Sequence, residues 1–309
     1  MDDGYVLVIG SAGVDVKGRP QQEVTWETPN QGLIRTSVGG VARNIAENLA
    51  RLEIPIVLLT AVGDDFAGDE LLGVCEEAGI NCDYVRQIPD TRTGTYMALL
   101  KPDGQLHVAI SDFEIMSFVD PDYVLEHEHL FQNAEMVVID AALTEEALAT
   151  VFELAARHQV RVAIDPTTPT LASRLCPYIS ETYMIVPNAS ETVALCGLEA
   201  PATDRDSAIA TARQLITLGA KIAVVTLGEE GLAYAHGGGT GFIRAMQTEV
   251  VDATGAGDAF SGAAIFGLLN DVPIDEAMRL GIAAASMTLA SKQTVLENLN
   301  QDMLYDAIP

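Results

Sequence analysis

The sequence predicts an α/β protein with a mostly parallel central sheet and a small second β-sheet inserted early in the chain. Three observations carry that prediction. Short, continuous apolar runs alternate with helical patterns along most of the chain, as strands buried on both faces alternate with the helices that cover them. The rhythm breaks at residues 13–38 and 93–110, where polar, alternating segments carry no helix signal. The 309 residues are 49% hydrophobic and 20% charged, an ordinary balance for one large core.

Residues 5–10 (YVLVIG) form the first buried-strand run, rich in β-branched side chains. Similar runs follow at 54–60, 136–140, 161–165, 184–186 and 221–227. Val41, Ile45, Leu49 and Leu52 mark one face of a helix, and helical patterns recur at 66–78, 145–158, 204–218, 256–269 and 274–290. Between them, residues 93–110 read as a hairpin turning at Asp103-Gly104. With residues 13–38 this hairpin forms a candidate lid, a reading taken over an edge extension of the main sheet. The expected organisation is one domain over 1–309, its β lid drawn from about 13–38 and 93–112.

The net charge of -27 repels nucleic-acid backbones and anionic lipids, so neither is an expected partner. Lysine is sparse: Lys17, Lys101, Lys221 and Lys292 are all there are. Cys75, Cys82, Cys176 and Cys196 form no C-x-x-C pair and fit neither a zinc site nor a dense disulfide framework. The start, Met-Asp-Asp-Gly, lacks the pattern of a signal peptide, and no apolar stretch is long enough to span a bilayer. A soluble, cytoplasmic protein is expected.

Five segments carry chemistry. In Asp252-Ala-Thr-Gly-Ala-Gly-Asp258, a glycine turn opens a helix, and free N–H groups there favour an anion. Asp258 is placed either to take a proton from a hydroxyl while those groups hold phosphoryl oxygens, or simply to cap the helix; spacing does not separate the two. Gly39-Gly40 opens a second helix, with Asn44 one turn inside it, offering a donor and an acceptor. Asp15 follows the first strand, where open α/β sheets bind ligands. Asn188 and Glu191 are suited either to the waters of a hydrated Mg²⁺ or to a helix cap. The fifth segment, Thr226 to Gly231, is a strand-end turn able to admit a nucleotide.

Taken in this order, the segments resemble the ribokinase-like (phosphofructokinase B) family of sugar and nucleoside kinases. The resemblance covers essentially the whole chain, and the Gly-Ala-Gly-Asp and Gly-Gly-x-x-x-Asn segments are that family's two signatures. It implies a three-layer α/β/α domain with a β lid and ATP-dependent phosphorylation of a small hydroxylated acceptor. It implies Asp258 as base, Gly255, Ala256 and Gly257 as an anion hole, and Asp15, Gly39, Gly40 and Asn44 on the acceptor. Asn188 and Glu191 fall near Mg²⁺, Thr226, Gly228, Gly231 and Asn188 at ATP, and Asp252 beside a monovalent cation, K⁺. Within the family, residues 39–52, 61–72 and 108–115 look most like pseudouridine kinases, which places lid residue Asp112 against the ligand. A homodimer through the lids is expected, since an open sheet edge invites pairing.

The sequence departs from the family pattern in three places. Gly13 stands where ribokinases have Asn and Val41 where they have Lys, which puts ribose itself in doubt. Ala253 removes a hydroxyl beside the cation position. Tyr96 and Phe113 are candidates to stack on a base, and isolated Arg43 and Arg92 make a phosphorylated acceptor the weaker alternative. His127 and His129, two apart on a helix, point away from each other and are not expected to bind metal. The other readings are a kinase for ribose, 2-keto-3-deoxygluconate or a fructose phosphate, or a non-catalytic nucleotide sensor.

Overall fold

The computed structural model describes residues 4–308; the acidic start at 1–3 and Pro309 lie outside the described residues. Among the described residues, thirteen strands form two sheets. They are β1 (Tyr5–Ile9), β2 (Gly13–Pro20), β3 (Gly32–Gly39), β4 (Ile56–Gly63), β5 (Val85–Ile88), β6 (Gly94–Leu100), β7 (Leu106–Asp112), β8 (Ala134–Asp140), β9 (Arg161–Asp165), β10 (Met184–Ile185), β11 (Ile222–Thr226), β12 (Leu232–His236) and β13 (Gly239–Ile243).

The large sheet has the order β13-β12-β11-β10-β9-β8-β1-β4-β5. It is parallel from β5 through β11, and β12 and β13 add an antiparallel edge. Strand alternation splits the apolar side chains into two cores. Tyr5, Leu7 and Ile9 join Leu148, Val151 and Leu215 on one face. Val6 and Val8 join Ile45, Leu49, Phe260 and Ile282 on the other. Each core is closed by helices, which makes three layers. Helix Ala256–Leu269 is buried almost all round. It packs between helices Val41–Arg51 and Ile274–Leu289, where a side chain at Gly262 would meet Asn48 Cβ at 2.7 Å.

The small sheet has the order β3-β2-β6-β7. Residues 13–38 and 93–112 therefore form one separate sheet, with Gly104 taking the positive φ of 93° that the β6–β7 turn needs. Its register decides which side chains share a face. Asp15 pairs with Tyr96 and Ser37, and Tyr96 pairs with Ser111, so these four point one way. Val16, Ile34, Met97, Val108 and Ile110 point the other way. That second face is open: Ile34 is 77% exposed and Ile110 68%.

His127 caps helix Pro121–Glu126 instead of lying within a helix with His129. The two rings sit 6.1 Å apart, His127 bonded to the Tyr123 carbonyl. Among the described residues, no group of three His, Cys, Asp or Glu is placed to hold a metal, and no helix is long and apolar enough to cross a membrane.

Candidate active site

The site lies beyond the carboxyl ends of the parallel strands, where the small sheet faces the large one. Its centre is built by Asp140, at the end of β8. This buried carboxylate accepts from Ser11 N (2.9 Å), Ala42 N (3.1 Å), Ala142 N (3.0 Å) and the Ser11 hydroxyl. It thereby pins the turn after β1 to the first turn of helix Val41–Arg51, where exposed N–H groups welcome a negative charge. Gly40 enters that helix at φ 96°, and a Cβ there would strike Ala12 Cα at 2.6 Å. A Cβ at Gly39 would strike the Asp15 carboxylate at 2.5 Å. Gly40 is thus required by the backbone, whereas a side chain at Gly39 would displace the Asp15 carboxylate.

One turn along, Asn44 Nδ2 donates to Asp258 Oδ2 at 2.6 Å. Asn44 Oδ1 is buried with no protein donor. Asp258 is not the cap of its helix: Gly255 is, at φ 81° and without a side-chain bond. A Cβ at Gly255 would lie 2.0 Å from the Thr294 carbonyl oxygen, whereas one at Gly257 would meet no protein atom. The turn is thus tight where it touches the protein and open at Gly257. Burial pushes the Asp258 carboxyl up to about 7; the Asn44 donor and Arg43 oppose that rise, and Asp15 and Asp140 add to it.

Asp15 is buried on the same side, and burial raises its carboxyl while Lys17 and Arg43 oppose the rise. Tyr96 stands beside it across the sheet. Asp112 is placed differently. The register sets it opposite Thr95 on the other face, exposed and turned away from Asp15, so the structure does not bring it to this cluster. Ser111 occupies the cleft-facing position instead. Gly13 has a physical reason: a side chain there would meet the Gly94 carbonyl at 2.4 Å and the Phe113 ring at 2.8 Å. Arg43 is buried, its charge taken by Glu47 and its Nε by the Gly39 carbonyl (3.1 Å); Arg92 is exposed.

Asn188 and Glu191 hold one another. Asn188 N and Nδ2 donate to the Glu191 carboxylate at 2.8 and 2.7 Å, and Asn188 Oδ1 accepts from Ser190 N and Glu191 N. Burial lifts Glu191 to about 7 against those donors. Asp165, at the end of β9, is raised well above the carboxylate range, first by burial and then by the charges of Asp258 and Glu191. Asp165 thus feels both Asp258 and Glu191, although the described residues are not placed to ligate a metal directly, so a cation here would have to be held through water. Beside them runs a cleft of about 570 Å³, lined by Pro169, Asn188, Ser190, Thr203, Thr226 and Gly228. It does not reach Asp258. Gly231 lies outside its lining, and a Cβ there would meet the Ile243 carbonyl at 2.1 Å, a packing reason for the glycine.

At Asp252 the residues do not fit a free monovalent cation. Lys17 Nζ sits 3.1 and 3.0 Å from its two carboxylate oxygens and also bonds the Thr254 hydroxyl. Thr254 N donates to the same carboxylate at 2.9 Å. Burial pushes Asp252 up, but the Thr254 and Lys17 bonds outweigh it and hold its carboxyl below the ordinary value. Ala253 is exposed and takes no part. Lys17, Asp140, Ser11 and Asp165 are the site residues that sequence reasoning missed.

Comparison with known proteins places this geometry. A family model described as pfkB family carbohydrate kinase matches residues 3–300. The pseudouridine kinase of Escherichia coli K12 is 32% identical over 291 residues, covering 94% of this chain and 92% of that one. A carbohydrate kinase from Agrobacterium tumefaciens superposes with a TM-score of 0.83 at 25% identity, over 99% of this chain and 97% of that one. The ribokinase of Arabidopsis thaliana, solved with ribose and ATP, superposes with a TM-score of 0.81 at 22% identity, over 99% of each chain.

Proposed function

The chain belongs to the pfkB family of carbohydrate kinases and is a sugar or nucleoside kinase, and from that membership we propose that it transfers the γ-phosphoryl group of ATP to the 5′-hydroxyl of pseudouridine. The observation that carries the chemistry is Asp258, buried beside the open anion turn with Asn44 bonded to one carboxylate oxygen. The observation that favours this acceptor is the pseudouridine kinase relative, together with the cleft-facing Tyr96 and the Gly13–Phe113 contact. A polar Asn at position 13 has no room, because the Gly94 carbonyl and the Phe113 ring fill the space a side chain would take.

Asp258 accepts the proton of the 5′-hydroxyl as the acceptor oxygen bonds to the γ-phosphorus. The bond from that phosphorus to the β–γ bridging oxygen breaks, and ADP leaves. The N–H groups of Gly255, Ala256 and Gly257 stabilise the phosphoryl oxygens, while Asp15 and the free Asn44 Oδ1 accept from the ribose hydroxyls. Thr226 and Gly228 border the nucleotide; Asn188 and Glu191 with Asp165 would hold Mg²⁺ through water, where the cation would offset charge on the phosphates. The small sheet acts as a lid over the acceptor. Its open apolar face, around Ile34, Met97, Val108 and Ile110, pairs with a second copy to form a homodimer.

An acceptor panel with ATP tests the reading. Pseudouridine should be turned over with a higher kcat/KM than uridine, ribose, 2-keto-3-deoxygluconate or fructose 6-phosphate. Preference for any of those sugars over pseudouridine would overturn the acceptor while leaving the family assignment in place.

A further inference from the structure

The chain uses one of its four lysines in a place that ordinary surface chemistry does not explain. Lys17 sits on β2, two residues beyond Asp15 and therefore on the same face of the strand. Its stem and head are largely buried, 12% exposed, and its ammonium reaches across to a segment 235 positions away in the sequence. There it holds both oxygens of Asp252 and the Thr254 hydroxyl, immediately before the Gly255–Asp258 turn. A second contact runs alongside it, from Ser37 Oγ on β3 to Thr294 Oγ1 at 3.4 Å. Thr294 is the residue whose carbonyl lies against Gly255. The small sheet thus holds the two segments that flank the anion turn, through one ion pair and one hydroxyl contact.

We propose that Lys17 is a positioning residue for phosphoryl transfer: a tethered cation, carried by the lid, that neutralises Asp252 and fixes the anion turn, so that no free monovalent cation is required. An uncompensated carboxylate at Asp252 opposes the arrival of phosphate at N–H groups three to six residues away. A fixed ammonium cancels that charge through charge-assisted bonds that stay in register with the turn. Because Asp15 and Lys17 share one face of one strand, the same piece of sheet that presents Asp15 to the acceptor holds the segment leading into the turn that receives the phosphoryl group. This inference rests on the kinase reading above for its kinetic arm only.

The test uses the full chain as wild type, Lys17→Met and Lys17→Arg, at equal ionic strength in potassium, sodium or tetramethylammonium chloride. Melting midpoints of the unliganded proteins are measured in each salt, and kcat and KM with ATP and pseudouridine are measured alongside. The wild type should melt at the same temperature in all three salts and hold its kcat within about twofold. In tetramethylammonium, Lys17→Met should lose about tenfold or more in kcat with little change in KM, regain most of it in potassium, and melt higher in potassium than in tetramethylammonium. Lys17→Arg should stay close to the wild type. Activation of the wild type by potassium of about fivefold or more would overturn the proposal. So would a Lys17→Met kcat equal to the wild type in tetramethylammonium, or a loss confined to the acceptor KM, which marks a substrate contact. If the wild type phosphorylates no acceptor, the kinase reading fails, and the melting arm alone decides whether Lys17 replaces a cation.

Discussion

Asn44 Nδ2 donates a 2.6 Å hydrogen bond to Asp258 Oδ2, joining the first turns of two helices 214 positions apart in sequence. The bond favours the ionised carboxyl and opposes the burial that lifts Asp258 to about 7. Removing the donor leaves only Arg43 to oppose burial. Asn44→Leu should therefore move the acid limb of the kcat/KM profile to higher pH, besides lowering the plateau by about tenfold or more. A plateau loss with an unmoved limb would show that Asn44 does not act on the base.

The same raised carboxyl predicts a pH effect on stability. Asp258 keeps its proton in the fold up to about 7, whereas its ordinary value is 3.8. Between those values the folded state binds more protons than the unfolded chain, so this group's contribution to stability falls as pH rises through that window and then levels off. Asp258→Asn removes the charge that burial penalises. The unliganded variant should melt above the wild type at pH 8 and approach it near pH 4, as read by thermal unfolding; a lower midpoint at pH 8 would contradict the burial argument.

The two glycines of the anion turn should separate structure from function. Alanine at Gly255 forces a Cβ to 2.0 Å from the Thr294 carbonyl at φ 81°, a backbone region that costs an alanine about 1–2 kcal/mol before any clash. Gly255→Ala should lower the melting midpoint. Alanine at Gly257 meets no protein atom, so Gly257→Ala should melt as the wild type does yet lose about tenfold or more in kcat/KM for ATP. An unchanged kcat/KM would mean that no ligand approaches Gly257.

The outer face of the lid makes a fourth prediction. Ile34 and Ile110 lie on one face by register and are mostly exposed. Ile110→Lys should shift the protein from dimer to monomer in sedimentation or light scattering, since a charge at the centre of an apolar interface is not compensated. A wild type that is monomeric at all concentrations would remove the lid-to-lid dimer.

Much of this architecture is legible in the sequence because local signals and burial agree. Runs such as 5–9 and 222–225 are apolar throughout, as a strand covered on both faces requires, and the Asp103-Gly104 turn marks its hairpin. The strands that escape are those with weak local signals: β5 is four residues long, and β12 and β13 form an antiparallel edge joined across Gly237–Gly239. In the site, Gly39-Gly40, Asn44 and Asp258 announce themselves through glycine turns at helix starts. Lys17 does not, because a lysine in an alternating strand reads as a solvated face, and its partner Asp252 is distant in sequence. Asp112 shows the same limit. The hairpin fixes which residues of β6 and β7 face each other, but whether Asp112 shares a side with Asp15 depends on the non-local pairing of β2 with β6. Asp140 and Asp165 read as ordinary strand ends until the sheet brings them together in register.

The central claim is that Asp258 is the base of a phosphoryl transfer from ATP. Its most direct test is the turnover of Asp258→Asn beside its affinity for ATP, measured by calorimetry on the same preparation. The account predicts a fall in kcat of about a thousandfold with ATP affinity essentially unchanged, because the anion turn and the nucleotide cleft stay in place. A variant that turns over as the wild type does, or that loses ATP binding in proportion to its activity, would contradict it.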